Sequence, residues 1–401
     1  SNKEVDTQIM RLQHGLHLAY CTNIHRGESW EQTFQNLKTH TLAVRQKVAP
    51  DEPYAIGLRL GQEAAKDLSQ PQNLTAFKAW LEKNNCYVFT INGFPFGKFH
   101  GTRVKEDVYR PDWTTQERLT YTNLLFDILV ELVPEDVEGS VSSVPVSYKE
   151  FITNDRQVRE ARKNIWKCIE HIEQLSARTG KKLHLGLEPE PLCYLETSSE
   201  AVKFFEQMRQ DRKGDLRIDE HLGVNYDCCH LAIEYENPHE ALGRLIAHKI
   251  KISKIHLSSA LKVHPTLEAR EALKGFSDEV YFHQVIERRV GGELVRYRDL
   301  PDALASNPNS QPHLLEEWRI HFHIPLHHLP TGLFDSTVDH LLGTLDFLKS
   351  NPGICSHLEM ETYTWEVMPD SMKQRSVVDQ LVNEYVWTLE QMSRHGLVDS
   401  K

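Results

Sequence analysis

The chain has 401 residues, with 46 Lys or Arg against 57 Asp or Glu and a formal net charge of −11. That acidic balance argues against a general binder of nucleic-acid backbone, and no run approaches the roughly 20 apolar residues that a membrane helix needs. The seven cysteines are odd in number and scattered, which argues against a small disulfide framework; with no signal-peptide pattern at the start, the expected compartment is the reducing cytoplasm.

Strand-like and helix-like segments then alternate. Residues 15–20 read as a first strand leading into Cys21-Thr22-Asn23-Ile24-His25, and 28–48 read as a helix. A second strand is expected at 55–60, after which Leu74, Phe77 and Leu81 fall on one helical face. A third strand, 86–91, is followed by a long loop and a helix over 114–132. The fourth strand, 139–146, carries small residues, and Ile165, Ile169 and Ile172 mark the core face of the next helix. Strands five to eight are expected at 183–190, 222–227, 252–257 and 354–361. A last helix carries Val378, Leu381 and Tyr385 at i, i+3 and i+7.

Eight strands separated by helices predict a parallel sheet with helical crossovers, and a closed (β/α)8 TIM barrel of the α/β class fits the count better than an open sheet. No glycine-rich phosphate-binding pattern follows any strand, so nucleotide-binding versions lose support. The chain, 1–401, reads as one barrel, with 258–351 as a cap-like insertion between strands seven and eight. Within it, 281–289 and 293–297 flank Gly291-Gly292 as a β-hairpin, and Trp318-Arg319-Ile320-His321-Phe322-His323-Ile324-Pro325 follows.

Active sites of such barrels lie at the C-terminal strand ends. Strand five ends Leu187-Glu188-Pro189-Glu190, strand six Asn225-Tyr226-Asp227, strand seven Lys254-Ile255-His256, and strand eight Leu358-Glu359-Met360-Glu361. Four successive strands thus deliver a carboxylate, a carboxylate, an imidazole and a carboxylate beside apolar residues. Such groups are costly there unless paired or metal-bound, with salt bridging at the rim as the alternative. The mixed O and N donors suit a divalent ion, Mn, Mg, Co or Zn. By period two, Glu188 shares a face with Glu190, and Glu359 with Glu361, so each pair holds one expected ligand and one neighbour. Asn92, with Gly93 at the end of strand three, is expected to contact substrate or to form a turn. Phe94, Phe96, Phe99 and Trp113 either wall a pocket or pack their loop.

At these residues the chain resembles the xylose-isomerase-like barrel superfamily, which holds sugar isomerases, ketose 3-epimerases and apurinic endonucleases. Glu190-Pro191-Leu192-Cys193-Tyr194-Leu195-Glu196 has the spacing of the epimerase pattern E-P-L-N-R-x-E but lacks its Asn and Arg. The resemblance selects Glu190 as ligand, together with Asp227, His256 and Glu361, and assigns Glu196 to substrate. It matches Asp227-Cys228-Cys229-His230 to the family's D-x-x-H and places Lys262 where the epimerases have Arg. The endonuclease branch binds further zinc through a D-x-H pair; His321 and His323 stand at a comparable place, with His230 as a shared ligand and His100 as the nearest counterpart of an earlier histidine. His230, Lys262, Asn92 and His100 are therefore expected at the substrate. A closer resemblance, to the metabolite traffic protein EboE family, runs through Tyr20-Cys21-Thr22-Asn23-Ile24-His25, Thr90-Ile91-Asn92-Gly93-Phe94-Pro95-Phe96-Gly97, Arg319-Ile320-His321-Phe322-His323-Ile324-Pro325 and Glu361-Thr362-Tyr363-Thr364-Trp365.

Three functions follow as expectations. The first is a metal-dependent isomerase or epimerase of a sugar-like hydroxycarbonyl compound, with Glu190 and Glu361 removing and returning a proton. The second is a metal-dependent phosphoester hydrolase with His230, His321 and His323 around a further ion. The third is a non-catalytic metabolite-binding protein of a transport pathway. In each the partner is a small molecule, with neither nucleic acid nor membrane insertion expected.

Overall fold

The computed structural model describes residues 12, 14–99, 104–276, 281–306, 315–328, 332–363 and 376–398. Eight parallel strands form the central sheet: β1 (His17–Tyr20), β2 (Tyr54–Arg59), β3 (Cys86–Asn92), β4 (Gly139–Ser143), β5 (Leu183–Leu187), β6 (Leu222–Asp227), β7 (Lys251–Leu257) and, last in the chain, β13 (His357–Met360). Their order is β1-β13-β7-β6-β5-β4-β3-β2, and helices connect them. The fold is a (β/α)8 barrel, as the alternation of elements predicts. Among the described residues, no helix is long and apolar enough to cross a membrane.

The seam between β1 and β2 closes without a full ladder. A parallel bridge joins Cys21 to Gly57. The Thr22 hydroxyl donates to the Gly57 carbonyl at 2.8 Å, and its oxygen accepts from the Arg59 amide at 3.2 Å. A Cβ at Gly57 would collide with Glu359 Oε2 and lie 2.6 Å from the Tyr20 carbonyl. Both neighbours are buried and fixed, so the clash has no cheap relief. Gly57→Ala is expected to destabilise the chain by about 1–3 kcal/mol, read as a shift in denaturant midpoint at unchanged slope. A variant as stable as the parent would show that the seam is looser than described.

Local signals explain most helices. The long helix after β4, Asp155–Thr179, starts on a capping box between Asn154 and Gln157 and ends on Gly180 at φ +75. It buries Ile165, Ile169 and Ile172 against the sheet. The helix expected over 28–48 is interrupted: Trp30–Asn36 and Leu42–Val48 flank one wide π turn at Leu37–Thr41. That turn sets Thr41 Oγ1 2.7 Å from the Tyr20 hydroxyl.

The interval between β7 and β13 holds a second sheet. Its strands are β8 (Leu261–Val263), β9 (Val285–Arg289), β10 (Leu294–Tyr297), β11 (Leu315–Ile320) and β12 (Asp335–Ser336), antiparallel in the order β10-β9-β11-β8-β12. Gly291 and Gly292, at φ +95 and +90, make the β9–β10 turn, which glycine permits without a Cβ penalty. Leu261, Val285, Trp318, Ile320, Phe322 and Ile324 give this sheet a core of its own.

The barrel axis is polar where many such barrels stack branched aliphatic side chains. The fully buried Lys254 donates to Glu359 Oε1 at 2.9 Å and to the hydroxyls of Thr90 and Ser142 at 3.0 Å each. Two hydroxyls and one carboxylate satisfy the buried ammonium, which would otherwise be costly.

Candidate metal centre

The C-terminal ends of four strands bring Glu188, Asp227, His256 and Glu361 together, with one ligand atom from each lying within 4.8 Å of the others. Asp227, His256 and Glu359 stand side by side in the ladders of β6, β7 and β13. His256 Nδ1 faces Asp227 Oδ2 at 3.4 Å, Glu188 Oε2 at 3.5 Å and Glu361 Oε1 at 3.7 Å. Its Nε2 donates to Glu359 Oε1 at 2.8 Å, the outer carboxylate that orients a ligating imidazole and fixes its tautomer.

Each carboxylate is held on its far side. Asn23 and Asn92 donate to Glu361 Oε2 at 3.1 and 3.2 Å, and Asn225 donates to Glu188 Oε1 at 2.8 Å. Asp227 Oδ1 caps the short helix Cys228–Ile233 through the His230 amide and also accepts from Ser258 Oγ at 2.7 Å. Asp227 Oδ2 is buried and has no hydrogen-bond partner; its contacts with His256 and His230 are of ion-pair length without hydrogen-bond geometry.

Three buried carboxylates around one imidazole nitrogen repel one another strongly unless positive charge sits among them. Burial, with Glu188, Asp227 and Glu359 nearby, pushes the Glu361 carboxyl up to about 8 despite His256. Burial alone would lower His256, but Glu361, Glu188 and Asp227 outweigh it and hold the imidazole well above its usual range. Protons thus accumulate where a divalent cation would do the same work. The orphaned Asp227 oxygen and this charge excess show that the donor set fits such an ion.

The sequence expectation put Glu190 in this quartet, whereas the structure brings Glu188 there. Strand pairing persists one residue past β5, with the Glu188 amide donating to Ser143 at 3.1 Å. Pro189 then has no N–H to offer and the chain turns, so the Glu190 amide donates to the Leu195 carbonyl instead. Glu190 Oε1 stands 3.5 Å from His230 Nε2 and 4.0 Å from His321 Nε2. Burial raises its carboxyl to about 7, against the opposing pull of His230.

A second convergence adjoins the first. His230 Nδ1 donates to the Pro189 carbonyl at 2.9 Å, His321 Nδ1 to Gln284 Oε1 at 2.6 Å, and His323 Nδ1 to the Glu361 carbonyl at 3.2 Å. With Nδ1 donating outward, each ring turns its Nε2 inward, toward the other two. These nitrogens lie 3.0 Å apart between His230 and His321 and 3.2 Å between His321 and His323. Asp227 Oδ2 is 3.6 Å from His230 Nε2 and so borders both groups. Burial lowers His230, but Asp227, Glu190, Glu188 and Glu361 together raise it to about 9; burial holds His321 well below its usual range and His323 at about 4.

Above these groups opens a pocket whose empty space, counted out to open solvent, is about 520 Å³. Glu188, Glu190, His230, His321 and Glu361 are at its polar end, and Phe94, Phe99, Tyr109, Tyr281, Phe282 and Tyr363 wall it. Asn92 lines it, while Phe96 packs on Tyr121 and Trp113 is buried with its indole N–H on Ser143. Two residues expected at substrate lie elsewhere. The Glu196 carboxylate accepts from the Leu192 amide and from Lys149, which ties its own loop together. Lys262 is on β8, paired in register with Arg319 and Asp335, away from the pocket lining. His100 lies outside the described residues. Sequence reasoning gave no role to Asn23, Asn225 or Gln284, although Asn23 follows β1 and Asn225 lies near the end of β6, where the strand-end rule points.

No family model matches the sequence, and no curated protein matches it. Solved structures do. A D-tagatose 3-epimerase-like protein superposes with a TM-score of 0.51 at 12% identity, covering 95% of this chain and 98% of that one. An L-ribulose 3-epimerase gives 0.50 at 10% identity, covering 95% of each chain. A xylose isomerase-like TIM barrel protein from Mycobacterium smegmatis, in complex with magnesium, gives 0.49 at 10% identity, covering 95% and 97%. At these identities the first two likenesses show the fold alone, a (β/α)8 barrel.

Proposed function

We propose that the chain is a metal-dependent isomerase or epimerase of a small hydroxycarbonyl compound, cytoplasmic and built as one capped barrel. The observation that carries this reading is the buried quartet of Glu188, Asp227, His256 and Glu361, with its unpartnered Asp227 oxygen, two of whose carboxylates, Glu188 and Glu361, line a pocket. A divalent ion held there, Mn, Mg, Co or Zn, would polarise a substrate carbonyl as a Lewis acid. Glu361 and Glu190 reach the pocket from β13 and from the turn after β5. One removes a proton from the carbon next to the carbonyl, and the other returns it. Asn23 and Asn92 orient Glu361 while it gains and loses that proton, and His230 does the same for Glu190. The aromatic walls exclude water and seat the body of the substrate. The resemblance to the EboE family suggests that this compound is a metabolite moved within a biosynthetic pathway.

The inward-facing nitrogens of His230, His321 and His323 favour a second reading, metal-assisted phosphoester hydrolysis with another ion beside Asp227. The two readings separate on activity. Chain loaded with Mn is incubated in D2O with a panel of ketoses and other hydroxycarbonyls. Deuterium entering next to the carbonyl is the expected result. Absence of exchange, with phosphate released from a phosphoester panel, would replace the first reading by the second.

A further inference from the structure

The N-terminal end of the barrel carries a donor set that takes no part in the chemistry above. Glu138 immediately precedes β4, His184 is the second residue of β5, and His357 opens β13. Because these strands run parallel to those that deliver Asp227 and Glu361 at their far ends, the group lies at the opposite end of the axis. One ligand atom from each of the three residues lies within 4.8 Å of the others.

We propose that Glu138, His184 and His357 bind a divalent transition-metal ion, of the zinc or cobalt kind, that pins the lower end of the barrel. Two imidazoles and a carboxylate are a donor set such ions favour. His184 is buried, and its Nε2 has no hydrogen-bond partner while facing Glu138 Oε2 at 3.5 Å. The other nitrogen of that ring sits 2.6 Å from Ser253 Oγ. His357 rests in the same way on Ser140, at 2.7 Å, and its Nε2 donates to the Glu138 carbonyl at 2.9 Å. A hydroxyl serves as donor or acceptor, so Ser140 Oγ accepts a hydrogen bond from His357 Nδ1–H when the ring takes the other tautomer, which frees Nε2 for the ion. Burial keeps both rings neutral, at about 4 for His184 and well below the usual range for His357, with lone pairs available.

An entry path exists. The Glu138 side chain is 31% exposed and borders a surface groove that His184, His221 and Lys251 also line. Lys251 approaches Glu138 Oε1 at 4.0 Å, while Oε2 faces His184 and accepts from Ser356 Oγ at 3.2 Å. The bound ion would tie β4, β5 and β13, three strands not consecutive in the barrel, into one unit. In barrels of this kind the N-terminal face serves stability rather than chemistry.

The test counts zinc. Full chain is stripped with a chelator and equilibrated by dialysis against zinc, and its zinc content and melting temperature are then measured. Glu138→Gln, a near-isosteric change at a partly exposed position, is expected to lose one equivalent of zinc per chain and part of the zinc-dependent rise in melting temperature. In an Asp227→Asn, His321→Ala background, which breaks the donor sets at the barrel mouth, one equivalent should remain, and adding Glu138→Gln should remove it. If that background does not fold, the comparison of the parent with Glu138→Gln decides. Equal zinc content in those two chains overturns the proposal, as does a folded mouth-deficient chain that holds no zinc. Neither result bears on the site at the mouth.

Discussion

Asp227→Asn is expected to weaken binding of a divalent ion at the barrel mouth by more than about 100-fold, since changes to mere outer-shell partners already cost 10–100-fold. The substitution is chosen because it isolates one atom. Asparagine keeps an oxygen for the Ser258 hydroxyl and the His230 amide and remains a good helix N-cap, so the local fold survives. It replaces the unpartnered Oδ2 with an amide NH2, which donates hydrogen bonds and ligates no cation. That oxygen lies 3.4 Å from His256 Nδ1 and 3.6 Å from His230 Nε2, so both convergences lose a donor at once. Competition with a chromophoric chelator measures the affinity, and far-UV circular dichroism checks the fold. A folded variant with parental affinity would place the ion elsewhere.

Glu361→Gln is expected to lower turnover by about 10²–10⁴, the span assigned to a positioned acid–base group, with more lost if ion binding also weakens. Glutamine fills the same volume and keeps an oxygen toward Asn23 and Asn92, but it neither accepts a proton at working pH nor carries the charge that faces His256. The assay is deuterium exchange on whichever panel compound the parent turns over, run at saturating Mn so that weakened ion binding does not masquerade as lost chemistry. A variant exchanging at the parental rate would remove Glu361 from the acid–base role.

Much of the fold is legible in the sequence, and the reasons differ by element. The barrel strands announce themselves because both faces are covered, which makes each a short apolar run ending abruptly in polar residues. The same abruptness points to Asp227, His256 and Glu361. It does not separate Glu188 from Glu190, because period two gives both the same face. The choice depends on where pairing stops, and that is set by Pro189 and by the Glu188 amide on Ser143. Glu196 was matched by spacing along a loop, and a loop path is not fixed by spacing; its carboxylate went to Leu192 and Lys149. Lys262 has a related cause, since the residues after β7 leave the barrel as β8 and join a separate sheet. The hairpin at Gly291-Gly292 was readable from its turn, whereas β8 and β12, with three and two residues, are too short for any periodic signal. The polar axis around Lys254 was hidden for another reason: alternation reveals two faces of a strand but not which one lines the barrel.

The central claim is that one divalent ion sits among Glu188, Asp227, His256 and Glu361. Anomalous diffraction from crystals grown with zinc, recorded on both sides of its absorption edge, tests that claim most directly. The predicted result is a peak bounded by the Glu188 and Glu361 carboxylates, Asp227 Oδ2 and His256 Nδ1, with ligand distances of roughly 2.0–2.3 Å. A zinc-saturated crystal with no peak at that point, or with Glu190 in the place of Glu188, would contradict it.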